Sequence, residues 1–165
     1  MPDLCKPYEQ KVLIVIFEYF TAIEIQGALE EAGYRSDIVI ENGSTLIHSG
    51  TFGAEWSVWL CNNGPFFSSM HLHTSIWVKE HPCQWSNEWN EKMFWSYATP
   101  TMNEGESAPS PDDDGDYQIF IAVSYNFAGG VTHDHLVHAF KNWTSTIQQL
   151  AFDDTILTFR GRYRN

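Results

Sequence analysis

Seven histidines offer the readiest chemistry in this chain. His71 and His73 are two residues apart, the separation that sends both imidazoles to one side of a strand, where two ring nitrogens could hold a divalent transition metal. His133, His135 and His138 gather near the start of a helical stretch, but positions 133 and 135 leave different sides of a helix. Neither an H-E-x-x-H spacing nor a cysteine pair accompanies them. A half-exposed row of sheet histidines is therefore the plainer reading, and no metal is expected. Asp112-Asp113-Asp114-Gly115-Asp116 invites a calcium loop. Placing Gly115 at the sixth loop position puts Ser110 at the first and Ile121 at the twelfth, where a bidentate Glu is required. That leaves an acidic exposed turn. There is no G-x-S-x-G elbow, no Walker loop and no G-x-G-x-x-G. No catalytic residue and no cofactor follow from the motifs.

The tryptophans give a more physical lead. Trp56 and Trp59 lie on one strand at an odd separation and cannot both enter one core, while Trp77 shares a strand side with the two histidines. Either helices cover both faces of the sheet, or one face presents aromatic surface, which marks partner sites. Asn87 and Asn90 flank Trp89 and are neighbours on a helix surface. They could read a partner's backbone or satisfy carbonyls of the adjoining loop. The candidate partner-binding residues are thus Trp59, Trp77, Asn87, Trp89 and Asn90.

These residues need elements to hold them. Thr21-Ala-Ile-Glu24 has capping-box spacing, and Ile25, Ala28, Leu29 and Ala32 follow on one helical face before Gly33. Val12 to Phe17, β-branched without helical period, reads as an added strand or extended arm. Ser36–Glu41 and Thr45–His48 flank Asn42-Gly43, a type I′ hairpin signal. Glu55–Cys61 alternates, with Trp56, Val58 and Leu60 on one side and Trp59 and Cys61 on the other, ahead of Asn62-Asn63-Gly64-Pro65. Phe66–Val78 continues as a long strand with Met70, Leu72, Thr74 and Ile76 on one face. Pro82 opens a second helix over Cys83–Phe94, in which Trp85, Trp89 and Met93 are four apart. A strand beginning near Trp95–Tyr97 ends at Thr99-Pro100, and Tyr117–Phe127 alternates again. Thr132 caps a third helix with Leu136, Phe140, Trp143, Ile147 and Leu150 on one stripe. The order α-β-β-β-β-α-β-β-α predicts an α+β fold, an antiparallel sheet flanked by three helices. One domain spans 1–165, with a flexible acidic loop at about 102–116 and a C-terminal extension at 153–165.

Several of these segments together carry a resemblance. They are Leu29-Glu30-Glu31-Ala32-Gly33-Tyr34, Asn87-Glu88-Trp89-Asn90, Asp114-Gly115-Asp116, and Gly129-Gly130-Val131-Thr132 followed by Trp143. In this order, over about residues 20–152, the chain resembles the YbjN-type family of bacterial sensory transduction regulators, whose fold is like that of type III secretion chaperones. The resemblance implies a regulatory or chaperone-like role in protein binding. It also allows a homodimer, since similar secretion chaperones dimerise. Glu91 stands where the family pattern has a base, the acidic loop is long, and both ends carry extra residues.

Composition narrows the partners. The chain has 165 residues and is 43% hydrophobic, enough for one core that removes roughly 70% of the unfolded surface from water. Its net charge is −12, and three of its nine basic residues, Arg160, Arg162 and Arg164, lie in the last six positions. An acidic body repels phosphate polymers and anionic bilayers, so neither nucleic acid nor membrane is an expected partner. Cys5, Cys61 and Cys83 form no disulfide framework, and the apolar run at Val12–Phe17 is too short for a membrane helix. These features predict a cytoplasmic protein. The function expected is non-catalytic binding of a polypeptide partner, with a basic segment favoured by the negative field. The alternatives are a metal-dependent or cryptic enzyme using the His71/His73 face, or a small-ligand sensor with a pocket between sheet and helix.

Overall fold

The computed structural model describes residues 15–61, 64–103 and 105–156. The expectations for residues 12–14, Asn62-Asn63 and 157–165, including the three terminal arginines, lie outside the described residues. Among the described residues, nine elements follow the predicted order: α1 (Ala22–Glu31), β1 (Ser36–Glu41), β2 (Ser44–Thr51), β3 (Ala54–Cys61), β4 (Ser69–Val78), α2 (Pro82–Lys92), β5 (Tyr97–Pro100), β6 (Tyr117–Asn126) and α3 (His133–Ala151). The fold is α+β. Its six strands form one sheet in the order β1-β2-β3-β4-β6-β5, antiparallel at every pairing.

Local chemistry accounts for most boundaries. At the start of α1, the Thr21 hydroxyl accepts from the Glu24 N–H (3.2 Å), and the Glu24 carboxylate accepts from the Thr21 N–H (2.7 Å), so two orphan donors are satisfied. The helix ends where Gly33 takes φ +98°, letting the Tyr34 N–H return to the Leu29 carbonyl (3.1 Å) and the Gly33 N–H to that of Glu30 (2.9 Å). Asn42 and Gly43 both take positive φ and join Glu41 to Ser44 in register. β2 runs three residues past the expected His48, to a second tight turn at Phe52-Gly53, also with positive φ at both positions. β4 starts at Ser69 rather than Phe66, because Phe67 pairs instead with Phe20 of the extended N-terminal arm (N–H···O 2.8 and 3.0 Å). α2 stops at Lys92, leaving Phe94 outside the helix and 97% exposed.

One core holds the layers together. Ile25 and Leu29 of α1, Trp89 of α2, and Leu136, Phe140, Trp143, Ile147 and Leu150 of α3 join a single apolar cluster. Its sheet members include Trp56, Val58, Leu60, Met70, Leu72 and Ile76, the alternate residues of β3 and β4. Trp56 meets Trp143 edge-on at 6.4 Å and Tyr34 at 6.0 Å. Trp77 and Ala122 are also buried but stand outside the cluster, on the opposite side of the sheet. The three helices thus cover one face, and the other is left without a helix among the described residues. Of the two arrangements the sequence allowed, this is the one with an aromatic open face.

The edge strand β5 is closed by α2. The Asn90 amide donates to the Ala98 carbonyl (2.9 Å), and its oxygen accepts from the Ala98 N–H (2.7 Å), so one side chain pairs with outward backbone groups as a neighbouring strand would. Between β5 and β6, the acidic segment is folded on itself around Asp112, whose carboxylate accepts from the N–H groups of Asp114 and Asp116 (both 3.0 Å). The Lys79 ammonium bonds Asp116 at 2.6 Å and ties this turn to the end of β4.

Candidate functional site

The uncovered face is assembled by strand register. Pairing of Leu46 with Trp59 and of Trp59 with His71 puts these three side chains in one row across β2, β3 and β4. The next row is His48, Ser57, His73 and Ala122, and Phe120 follows opposite Ser75. Cross-strand neighbours share a face, so their interactions follow from the register alone. Trp59 is 47% exposed and stands at the centre of this surface. Its ring lies 6.3 Å from His73, which meets Phe120 edge-on at 5.2 Å and an interplanar angle of 84°.

The three sheet histidines have separate surroundings. His48 Nδ1 lies 2.7 Å from the Ser57 hydroxyl, and its Nε2 lies 3.4 Å from Glu41. His71 Nδ1 lies 2.7 Å from the Ser124 hydroxyl. His73 is enclosed between Trp59 and Phe120, and its buried Nδ1 has no hydrogen-bond partner. Burial first, then repulsion from His71 and His48, lowers its pKa from 6.5 to about 4, so the ring is neutral near pH 7. His133 bonds Glu31 at 2.9 Å, and His135 lies 3.0 Å from the Thr132 hydroxyl in the cap of α3, a capping box with histidine in the usual Glu position. His138 is exposed on the other side of the layer, and among the described residues no group of three or more His, Cys, Asp or Glu could hold a metal ion.

The partner-binding candidates separate. Trp59 is on the open face. Trp77 shares that face but is only 8% exposed, at the floor of a cavity of about 770 Å³ bordered by Arg35, Asp37, Glu55 and Phe120. Trp89 is buried on the other side, where its indole N–H donates to the Ser96 hydroxyl (3.2 Å) and its ring stacks on Trp85 at 5.5 Å. Asn90 is engaged with Ala98, while Asn87 is exposed. The structure therefore does not bring the five together. A second cavity, about 400 Å³, lies between β6 and α3 beside Tyr125 and His138, and burial raises the Tyr125 pKa.

His48 is the residue of this face that sequence reasoning missed. Its signal was the Phe52-Gly53 turn, which with the Asn42-Gly43 turn fixes the β2 register and places His48 in the His73 row, two strands away across Ser57. Among the described residues no helix is long and apolar enough to cross a membrane, and Cys61 and Cys83 are free thiols.

No family model matches the chain, and no curated protein matches it. The crystal structure of YbjN from E. coli, a candidate transcription regulator, is similar to it, with 11% sequence identity over 81% of this chain and 93% of that one. The TM-score is 0.55. At this identity the likeness is one of architecture: the chain has a YbjN-like fold.

Proposed function

We propose that this protein is a non-catalytic, cytoplasmic regulatory or chaperone-like protein that captures a polypeptide on the uncovered face of its sheet, with Trp59 as the central contact. The observation that carries this reading is the half-exposed Trp59, set between Leu46 and His71 on a face that no helix covers among the described residues. A large aromatic held on a strand loses little side-chain freedom on binding, which suits it as an anchor. Its neighbours are neutral or polar, so a partner can exclude water there without burying unpaired charge. The net charge of −12 favours a partner with a basic segment and speeds its approach. A regulatory role is also supported by the description of E. coli YbjN as a candidate transcription regulator. Of the other candidate contacts, Asn87 is exposed on α2, on the helix-covered side away from this face, and Trp89 and Asn90 serve to hold α2 against β5.

The test is affinity capture from the native lysate, followed by rebinding of each purified captured protein to the wild type and to Trp59→Ser. Loss of at least tenfold in affinity, the scale of a hot-spot truncation of about 2 kcal/mol, is expected for the true partner. Undiminished binding of every captured protein by a folded Trp59→Ser variant refutes the reading. A second copy of the chain as the captured protein would make the face a dimer contact.

A further inference from the structure

The cavity around Trp77 differs from the Trp59 surface in its chemistry. Its lining includes the nearly buried Trp77 and the half-buried Phe120, while charges of both signs border it at exposed positions: the Arg35 guanidinium and the Asp37 carboxylate from the β1 edge of the sheet, and the Glu55 carboxylate from β3. Among the described residues none of these three side chains forms an ion pair or a side-chain hydrogen bond. A volume of about 770 Å³ falls within the usual range for small-molecule sites, about 300–1,000 Å³.

The charges select the ligand class. A simple anion drawn to Arg35 meets two carboxylates. A simple cation drawn to the carboxylates meets Arg35. An uncharged aromatic fills the floor but strips water from the rim with nothing in exchange. A molecule carrying both charges on a flat apolar body matches every part. We propose that the cavity on the uncovered face binds an aromatic α-amino acid, with Arg35 taking its carboxylate, Asp37 and Glu55 its ammonium group, and Trp77 and Phe120 its ring. Guanidinium is suited to the carboxylate because its paired N–H groups match both oxygens. His73 lines the same cavity and is neutral near pH 7, so it adds no charge against the ammonium group. Such a site would make the protein a sensor whose partner-binding face and ligand cavity share one sheet surface.

Calorimetry and thermal unfolding with L-phenylalanine, N-acetyl-L-phenylalanine and L-phenylalaninamide test this directly. L-Phenylalanine is expected to bind and to raise the melting temperature by about 3 °C or more at about ten times Kd. Each derivative lacks one charge and is expected to bind at least tenfold more weakly. Arg35→Gln, at an exposed position that leaves the core intact, is expected to lose the preference for L-phenylalanine over its amide. It should still retain the Trp59-dependent polypeptide, so this site and the proposed partner surface fail or stand separately. Absence of any heat or melting shift with L-phenylalanine, L-tyrosine and L-tryptophan at millimolar concentration overturns the proposal. So does equal binding of L-phenylalanine and its two derivatives, or an unchanged preference in folded Arg35→Gln.

Discussion

His73 lies between Trp59 and Phe120 with an unpartnered Nδ1, and its pKa is lowered from 6.5 to about 4. Protonation is thus easier in the unfolded chain than in the folded one. Between these two values the unfolded state binds more protons, so stability rises with pH and is lost as pH falls from 6.5 toward 4. Integrating the difference from pH 7.5 to pH 5 gives a loss of about 2 kcal/mol from this one residue. His73→Phe removes it. Phenylalanine fits the aromatic surroundings and leaves no buried nitrogen without a partner, so the variant should match or exceed the wild type at pH 7.5. The assay is urea unfolding of both proteins at pH 5, 6 and 7.5, each midpoint multiplied by its slope. Other titrating groups are common to both proteins and cancel in the difference. The variant is expected to gain about 2 kcal/mol relative to the wild type on going from pH 7.5 to pH 5. A difference that stays constant with pH would refute the reasoning, because it would mean that His73 protonates equally readily in both states.

Three further substitutions probe the scaffold. Asn90→Ala strips both backbone groups of Ala98 of their side-chain partner and should cost about 1–3 kcal/mol in urea unfolding, with faster hydrogen exchange at the Ala98 amide. Gly130→Ala forces a side chain onto φ +91° and into the Ile16 side chain, so it should destabilise by more than about 1 kcal/mol and speed exchange at the paired Phe17 and Val131 amides. Thr132→Ala removes the oxygen that accepts from the His135 N–H (3.3 Å) and should cost about 1 kcal/mol in the same unfolding assay.

What could be read from the sequence was what depends on near neighbours along the chain. Thr21 with Glu24, Asn42-Gly43, and the stripe from Leu136 to Leu150 each specify an element within a few residues, and all are found as expected. Element order followed from them. Which sheet face the helices cover was not legible, since Trp56, Trp59 and Trp77 obey the same alternation and differ only in what packs on them. Neighbours distant in sequence were equally hidden. β4 pairs with β6 across some forty residues of α2, β5 and loop, and that pairing sets Phe120 beside His73. The cavity rim draws Arg35 and Asp37 from one edge of the sheet and Phe120 from near the other, a convergence that only the folded order of strands produces. The role of Asn90 was half visible: its capacity to satisfy backbone groups followed from its amide, but its partner is an edge strand rather than a loop.

The central claim is that the helix-free face, and Trp59 in particular, receives the partner. Hydroxyl-radical footprinting of the protein alone and with its captured, purified partner measures this side chain by side chain. Trp59 oxidation is expected to fall several-fold on complex formation, while the exposed Phe94 and Phe152, which lie away from that face, keep their rates. Protection of Phe94 or Phe152 with Trp59 unchanged would contradict the account.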